Sequence, residues 1–288
     1  MTVPYDPQRL VAMPPRVTVR QHSRRDTMLY ALGVGAGQSG EEQDLPFIYE
    51  AGLQALPTMA VVLATPGFWQ MEPQYGLDWK RLLHGEQSLV IERPLPVEGE
   101  VRSELTIEAI VDKGASRGAV LASRRTLFDH ASGELLATLR QTSFLRGEGG
   151  KGGTQASAPS PHPVPDRAPD IETTAATRRE QALIYRLSGD YNPLHVDPAV
   201  AREGGLPRPI LHGLCTYGIT GRVLLGQLCG RDPARLKRLD VRFTAPVLPG
   251  DELAFSIWRE APGTAAFQVA VPAREVIVIN NGYVEYQD

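Results

Sequence analysis

The 288-residue chain carries 30 Lys and Arg against 33 Asp and Glu, a net charge of -3, so it lacks the basic excess that a nucleic-acid backbone selects. Hydrophobic residues at 42% and charged residues at 22% are ordinary globular values, which excludes chain-wide disorder and fibrous architectures, and the length fits about two domains. Two cysteines, Cys215 and Cys229, make neither a disulfide framework nor a metal cluster, and the most apolar run, residues 59–64, is far short of the roughly 20 residues that cross a bilayer. The opening MTVPYDPQRLVAMPPR has no continuous apolar segment or small-residue cleavage site, and the closing Tyr-Gln-Asp spells no organellar address. The expectation is a soluble, cytoplasmic protein with no membrane or nucleic-acid partner.

Taken in order, a helical stretch at 25–34 and a longer apolar one at 46–64 precede runs with strand character at 88–92, 101–112, 119–129 and 135–145. The segment GEGGKGGTQASAPSPHPVPDRAPD then supplies five glycines, five prolines and almost no large apolar side chain, the composition of a linker. It divides the chain into 1–146, 147–170 and 171–288. The second half repeats the order, with a helix at 178–187, an apolar helix at 210–228 and strands at 238–245, 252–258, 265–271 and 275–286. Helices first and strands last, twice, predicts an α+β class with antiparallel sheet packed on helix, against repeated βαβ units. A constant offset of 155 sets Tyr30-Ala31-Leu32 on Tyr185-Arg186-Leu187 and Leu56-Pro57-Thr58 on Leu211-His212-Gly213, as a duplication would.

The densest polar cluster is YRLSGDYNPLHVDP, residues 185–198. Pro193 biases Asn192 away from helix, so Asp190, Asn192 and His195 fall on a turn where three polar side chains can converge. Each alone would be an ordinary turn residue. Downstream, RPILHGLCTYG places a helix N-terminus near His212 and Gly213, because Pro207 and Pro209 cannot lie inside the apolar helix that follows. Backbone N–H groups at that end are free and partly positive, and a glycine lets a carbonyl approach them. An Asp and His pair beside such a donor suits addition of water across a bond conjugated to a carbonyl. Asp197-Pro198 reads as an N-cap with proline at the first position of a short helix ending at Gly204-Gly205. Cys215 reads as a buried thiol and His212 as structural. A metal held by Asp190, His195, Asp197 and His212 matches no ligand spacing, so none is expected.

These residues resemble the R-specific 2-enoyl-CoA hydratases (hydratase 2) of the MaoC-like dehydratase family. YALGVGAG at 30–37, LPTMAVVL at 56–63, LLHGEQ at 82–87 and VRFTAPVLPGD at 241–251 extend the resemblance to the two-hotdog form found in eukaryotic multifunctional β-oxidation enzymes. The resemblance implies a tandem hotdog, each unit a sheet wrapped around a long central helix, and hydration of trans-2-enoyl-CoA to R-3-hydroxyacyl-CoA without a cofactor. Asp190 and His195 would hold and activate the water, Asn192 would orient them, and the Gly213 N–H would receive the thioester oxygen. It implies a non-catalytic first half that accommodates acyl tails, and a homodimer. Lys237, Arg238 and Arg242 are candidates for the carrier's phosphates, with solvated surface charge as the commoner role. Rival readings are a MaoC-like dehydratase of a branched, dicarboxylic or steroid-tail thioester, a non-catalytic acyl-CoA binding protein, and a hotdog thioesterase.

Overall fold

The computed structural model describes residues 3–38, 40, 42–155, 157 and 160–287. Five strands come from the first half: β1 (Arg16–His22), β2 (Leu82–Ile91), β3 (Gly99–Asp112), β4 (Ala119–Asp129) and β5 (Leu135–Leu145). Five come from the second: β6 (Ile171–Ala176), β7 (Leu236–Phe243), β8 (Glu252–Ala261), β9 (Thr264–Val271) and β10 (Val276–Tyr286). All ten form one antiparallel sheet in the order β1-β3-β4-β5-β2-β7-β10-β9-β8-β6. The order reads the same from both ends once β2 is set on β7, β5 on β10, β4 on β9, β3 on β8 and β1 on β6. Two copies of one five-strand unit thus meet at the β2–β7 seam, where Glu86 faces Arg242 and Val90 faces Arg238. The architecture is the expected double hotdog. β1 and β6 were not foreseen; they are short edge strands whose alternation seldom reaches full burial, so their apolar periodicity is faint.

The helices lie against the sheet. In the second half α4 (Gln181–Tyr185), α5 (Pro198–Glu203) and α6 (Gly213–Leu228) follow β6. The predicted cap holds: the Asp197 carboxylate accepts the Ala199 N–H with Pro198 at the first position, and Gly204 ends α5. α6 is buried along most of its length, Cys215, Tyr217, Ile219, Leu224 and Leu225 being 1% exposed or less, as an all-round apolar helix must be. Its glycines admit the first half: a Cβ on Gly218 would lie 2.4 Å from Val34, and one on Gly221 2.4 Å from Thr58.

The first half has α1 (Pro7–Val11), α2 (Arg24–Gly33), capped reciprocally by Ser23 and Asp26, and α3 (Leu45–Ile48). Where a long central helix was expected across 46–64, it is broken. α3 stops after one turn, Gly52 takes a left-handed φ of 70°, Pro57 starts a 3-10 turn that ends at Val61, and Ala64 has φ 45°. Prolines 46 and 57 supply no N–H to continue a helix. The carbonyls left over are taken by side chains from the sheet: the buried Arg125 guanidinium of β4 donates to Ala60, Val61 and Leu63, and Ser103 of β3 donates to Ala64. Burial pushes the Arg125 pKa down to about 10, and it remains a cation. The start of the linker is pinned to the same half. Asp112 accepts the N–H groups of Gly114, Gly150 and Gly152, and the Thr154 and Gln155 amides donate to Ile110.

Candidate active site

α4 runs into a 3-10 turn, Arg186–Ser188, which Gly189 ends with φ 120°. Asp190 follows. Its carboxylate accepts the Asn192 N–H at 3.2 Å, and the Asn192 side-chain oxygen accepts the Leu194 N–H at 3.0 Å. Asn192 thereby caps the short turn Pro193–His195 and aims His195 inward. His195 is 8% exposed, and its Nδ1 lies 2.9 Å from the Ile210 carbonyl. A carbonyl only accepts, so Nδ1 carries the proton and the Nε2 lone pair is left for another partner.

His212, at the N-cap of α6, is 1% exposed and stacks on His195 with centroids 3.7 Å apart and planes at 29°. Its Nε2–H donates to the Asp190 carbonyl at 3.1 Å, tying the turn to the helix start, while Tyr185 packs behind it at 5.0 Å. Burial lowers the His195 pKa, against the Ile210 carbonyl and the Asp190 charge, which raise it. Burial, with His195 beside it, lowers His212 to about 4. Both rings are therefore neutral at physiological pH, with a carboxylate alongside.

Gly213 opens α6, and the first N–H groups of a helix have no intrahelical partner. The three atoms nearest to a Cβ built on Gly213 all belong to the Phe243 ring, the first at 3.6 Å, an ordinary contact. The packing of the protein itself therefore does not require glycine here.

The first half contributes a residue that the sequence reading did not single out. His84 of β2 packs edge-on against Phe243 of β7, centroids 5.0 Å apart, and its Nε2–H donates to the Glu86 carbonyl. Burial lowers its pKa to about 4, while the Glu86 carbonyl and the Asp190 charge act in the other direction. The site thus spans the seam between halves. The LLHGEQ motif carried the signal: a histidine at the start of a strand, followed by a glycine whose Cβ would collide with Phe144 at 2.6 Å.

One ligand atom from each of Asp190, His195 and His212 lies within 4.8 Å of the others. Stacked rings direct their lone pairs side by side rather than at one point, a poor match to a tetrahedral ion, and because the His212 Nε2–H donates to the Asp190 carbonyl, only the buried, unpartnered Nδ1 of that ring could ligate. Of the phosphate candidates, Arg242 is held by Glu86 at 2.6 Å and Arg238 by Asp240 at 2.7 Å and Glu285 at 3.2 Å, so their charge is locally neutralised. Lys237 is half-buried on the same strand. Cys215 and Cys229 are free and buried, and burial raises both thiols, which makes neither a nucleophile.

A double hotdog with an Asp, Asn and His turn packed at the start of its sixteen-residue helix defines a class, and family comparison agrees. Residues 160–281 match the MaoC like domain and residues 21–147 match the MFE-2 hydratase 2 N-terminal domain, so the chain belongs to the MaoC-like dehydratase family in its two-domain hydratase 2 form. It is 43% identical over 271 residues to the 3-hydroxyacyl-thioester dehydratase Y of Mycobacterium tuberculosis, covering 91% of this chain and 92% of that protein. It is 37% identical over 281 residues to the peroxisomal enoyl-CoA hydratase 2 of Arabidopsis thaliana, covering 92% and 90% respectively. The solved MaoC-like dehydratase of Phytophthora capsici superposes with a TM-score of 0.87 at 34% identity, covering 98% of this chain and 99% of that one.

Proposed function

We propose that this protein hydrates trans-2-enoyl-CoA to R-3-hydroxyacyl-CoA, reversibly, with no cofactor beyond the thioester. The carrying observation is His195: neutral, its Nδ1 committed to Ile210, its Nε2 lone pair free beside the Asp190 carboxylate and next to the open N-terminus of α6. In the hydration direction the Asp190 and His195 pair holds a water and takes one of its protons as the oxygen bonds to C3. The double-bond electrons move to C2, the thioester oxygen gains charge beneath the Gly213 N–H, and C2 receives a proton back through the same pair. Because the two groups interact, the base is the pair.

We further propose that the broken helix of the first half makes room for the acyl tail, since the 3-10 turn Pro57–Val61 and the Arg125-held chain after it stand where the second half has sixteen helical residues. A homodimer in the cytoplasm completes the proposed reading. Sedimentation velocity at about twice the 31.4 kDa chain mass would support the dimer. The deciding experiment is a hydration assay over enoyl-CoA chain lengths with chiral analysis of the product. An S product, or turnover of saturated acyl-CoA to free acid with no hydration, would overturn the reading; faster dehydration of branched or steroid-tail 3-hydroxyacyl thioesters would favour the related dehydratase.

A further inference from the structure

A groove of about 300 Å³ opens beside the candidate site, lined by Leu83, His84, Arg117, Phe144, Arg146 and Phe243. Two of these residues also build the site: Phe243 lies against Gly213, and His84 packs on Phe243 within reach of the Asp190 charge. The groove therefore continues outward from the N-terminus of α6. At its far end Leu83 and Phe144 face each other across β2 and β5 and remain 44% and 39% exposed, so a flat apolar surface is left uncovered.

Its charge is the distinguishing feature. On β4, β5 and β7 the arginines other than the buried Arg125 are matched with carboxylates: Arg124 and Arg140 with Glu108, Arg242 with Glu86, and Arg238 with Asp240. Arg117, on the turn between β3 and β4, and Arg146, just after β5, are exposed and have no carboxylate partner among the described residues. The Arg117 Nε–H donates to the Lys113 carbonyl at 2.9 Å, which steadies the stem and leaves the outer guanidinium nitrogens facing solvent. Paired unmatched guanidinium groups beside an exposed aromatic ring suit a phosphorylated aromatic base, the guanidinium fork taking phosphate oxygens and the ring taking the purine face.

We propose that this groove binds the phosphorylated adenosine end of the CoA carrier, with Arg117 and Arg146 as its phosphate ligands in place of Arg238 and Arg242. The inference rests on the thioester reading above, and it makes the carrier preference a property of the first half of the chain. A carrier-protein arm offers a phosphodiester but no purine and no terminal monophosphate, so a nucleotide probe separates the two sources.

The test uses the full chain and the exposed substitutions Arg117→Ala and Arg146→Ala, singly and together. Calorimetry with adenosine 3′,5′-bisphosphate is expected to show binding that weakens with salt and falls at least about tenfold in the double variant. With enoyl-CoA, the double variant raises KM about tenfold or more with kcat little changed, whereas an enoyl-N-acetylcysteamine thioester, which lacks the nucleotide, is hydrated equally by both proteins. The 3′-dephospho-CoA thioester mimics part of the loss in the unsubstituted protein. Equal bisphosphate affinity in the parent and double variant overturns the proposal, as does a carrier-protein thioester used in preference to CoA. Bisphosphate binding that drops in the variant while no thioester is hydrated would sink the hydratase reading and leave the nucleotide site standing.

Discussion

The second half's turn at Asp190 and the first half's turn at Gly35 occupy equivalent places in a duplicated fold, and they have been resolved in opposite ways. At the offset of 155, Asp190 falls on Gly35, Asn192 on Gly37, His195 on Gly40 and Gly213 on Thr58. The three glycines all have positive φ, 86°, 71° and 71°. Around the first two, space is not open. Where a Cβ on Gly35 would stand, the Arg222 guanidinium lies 3.3 Å away, and one on Gly37 would collide with Ile48 at 2.6 Å. Asp44, fully buried, accepts the Gly37 N–H at 2.8 Å and pairs with Arg231 at 2.7 Å and Arg222 at 3.7 Å. Arg222 lies on α6 and Arg231 just beyond its end. One helix thus opens the proposed reaction centre at its N-terminus, and its other end helps close the vacant counterpart with paired charge. In one turn the Asp190 carboxylate and the His195 Nε2 keep acceptor capacity for the proposed substrate; in the other the buried carboxylate is engaged by an amide and two arginines.

The comparison breaks most sharply if substitutions in the two turns have exchangeable effects. Asp190→Asn and His195→Gln are expected to lower enoyl-CoA hydration by about 10²- to 10⁴-fold while leaving the thermal midpoint within a few degrees, because both substitutions are nearly isosteric. Asp44→Asn should do the reverse. It replaces with a neutral amide the fully buried carboxylate that accepts the Gly37 N–H and pairs with Arg222 and Arg231, a loss of about 3 kcal/mol in urea unfolding, with activity per folded molecule preserved. A large loss of kcat in Asp44→Asn at full folding would mean that the first-half turn takes part in chemistry.

How much of this contrast was legible in sequence depends on the length of the signal. Strands of eleven residues with long apolar alternation, β4 and β5, fall where the apolar pattern puts them, and the offset of 155 foreshadows a sheet whose strand order is symmetric about the β2–β7 seam. The start of α6 was legible because Pro207 and Pro209 leave a helix nowhere else to begin. The broken helix at 46–64 was not, since its apolar composition suits a helix and the break depends on Arg125, distant in sequence, to satisfy the released carbonyls. His84 escaped for a related reason: its place beside Phe243 arises only when β2 pairs with β7. Pairing of Arg238 and Arg242 with carboxylates is likewise a fact of cross-strand register that composition does not contain.

Gly213→Ala tests the remaining member of the alignment, the position Thr58 fills in the first half. The backbone tolerates the change, because the new methyl meets Phe243 at an ordinary 3.6 Å, and alanine gains a few tenths of a kcal/mol in a helix. Stability should therefore hold or rise slightly, while kcat/KM falls about 10- to 100-fold as the methyl lifts the thioester oxygen off the amide. An unimpaired Gly213→Ala enzyme would remove the N–H from the mechanism and leave Asp190 and His195 without an oxyanion partner.

The smallest effect concerns pH, and its sign follows from burial. His195 and His212 are held neutral, with pKa values below the unfolded 6.5 and that of His212 near 4. Below pH 6.5 the unfolded chain takes up protons that the folded one refuses, so stability contributed by these rings is complete above 6.5 and is lost as pH falls toward 4. For His212 the slope is at most about 1.4 kcal/mol per pH unit. His212→Phe keeps an aromatic ring against His195 but does not titrate, so urea midpoints between about pH 7 and 5 should fall less steeply than in the unsubstituted protein. In the same window kcat/KM should decline only below 6.5, since His195 must be neutral to accept a proton, and Asp190→Asn should move the His195 titration lower still by removing the charge that raises it. Imidazole proton shifts followed by NMR would read this directly; an upward move in Asp190→Asn would mean that the carboxylate does not sense His195 as the geometry requires.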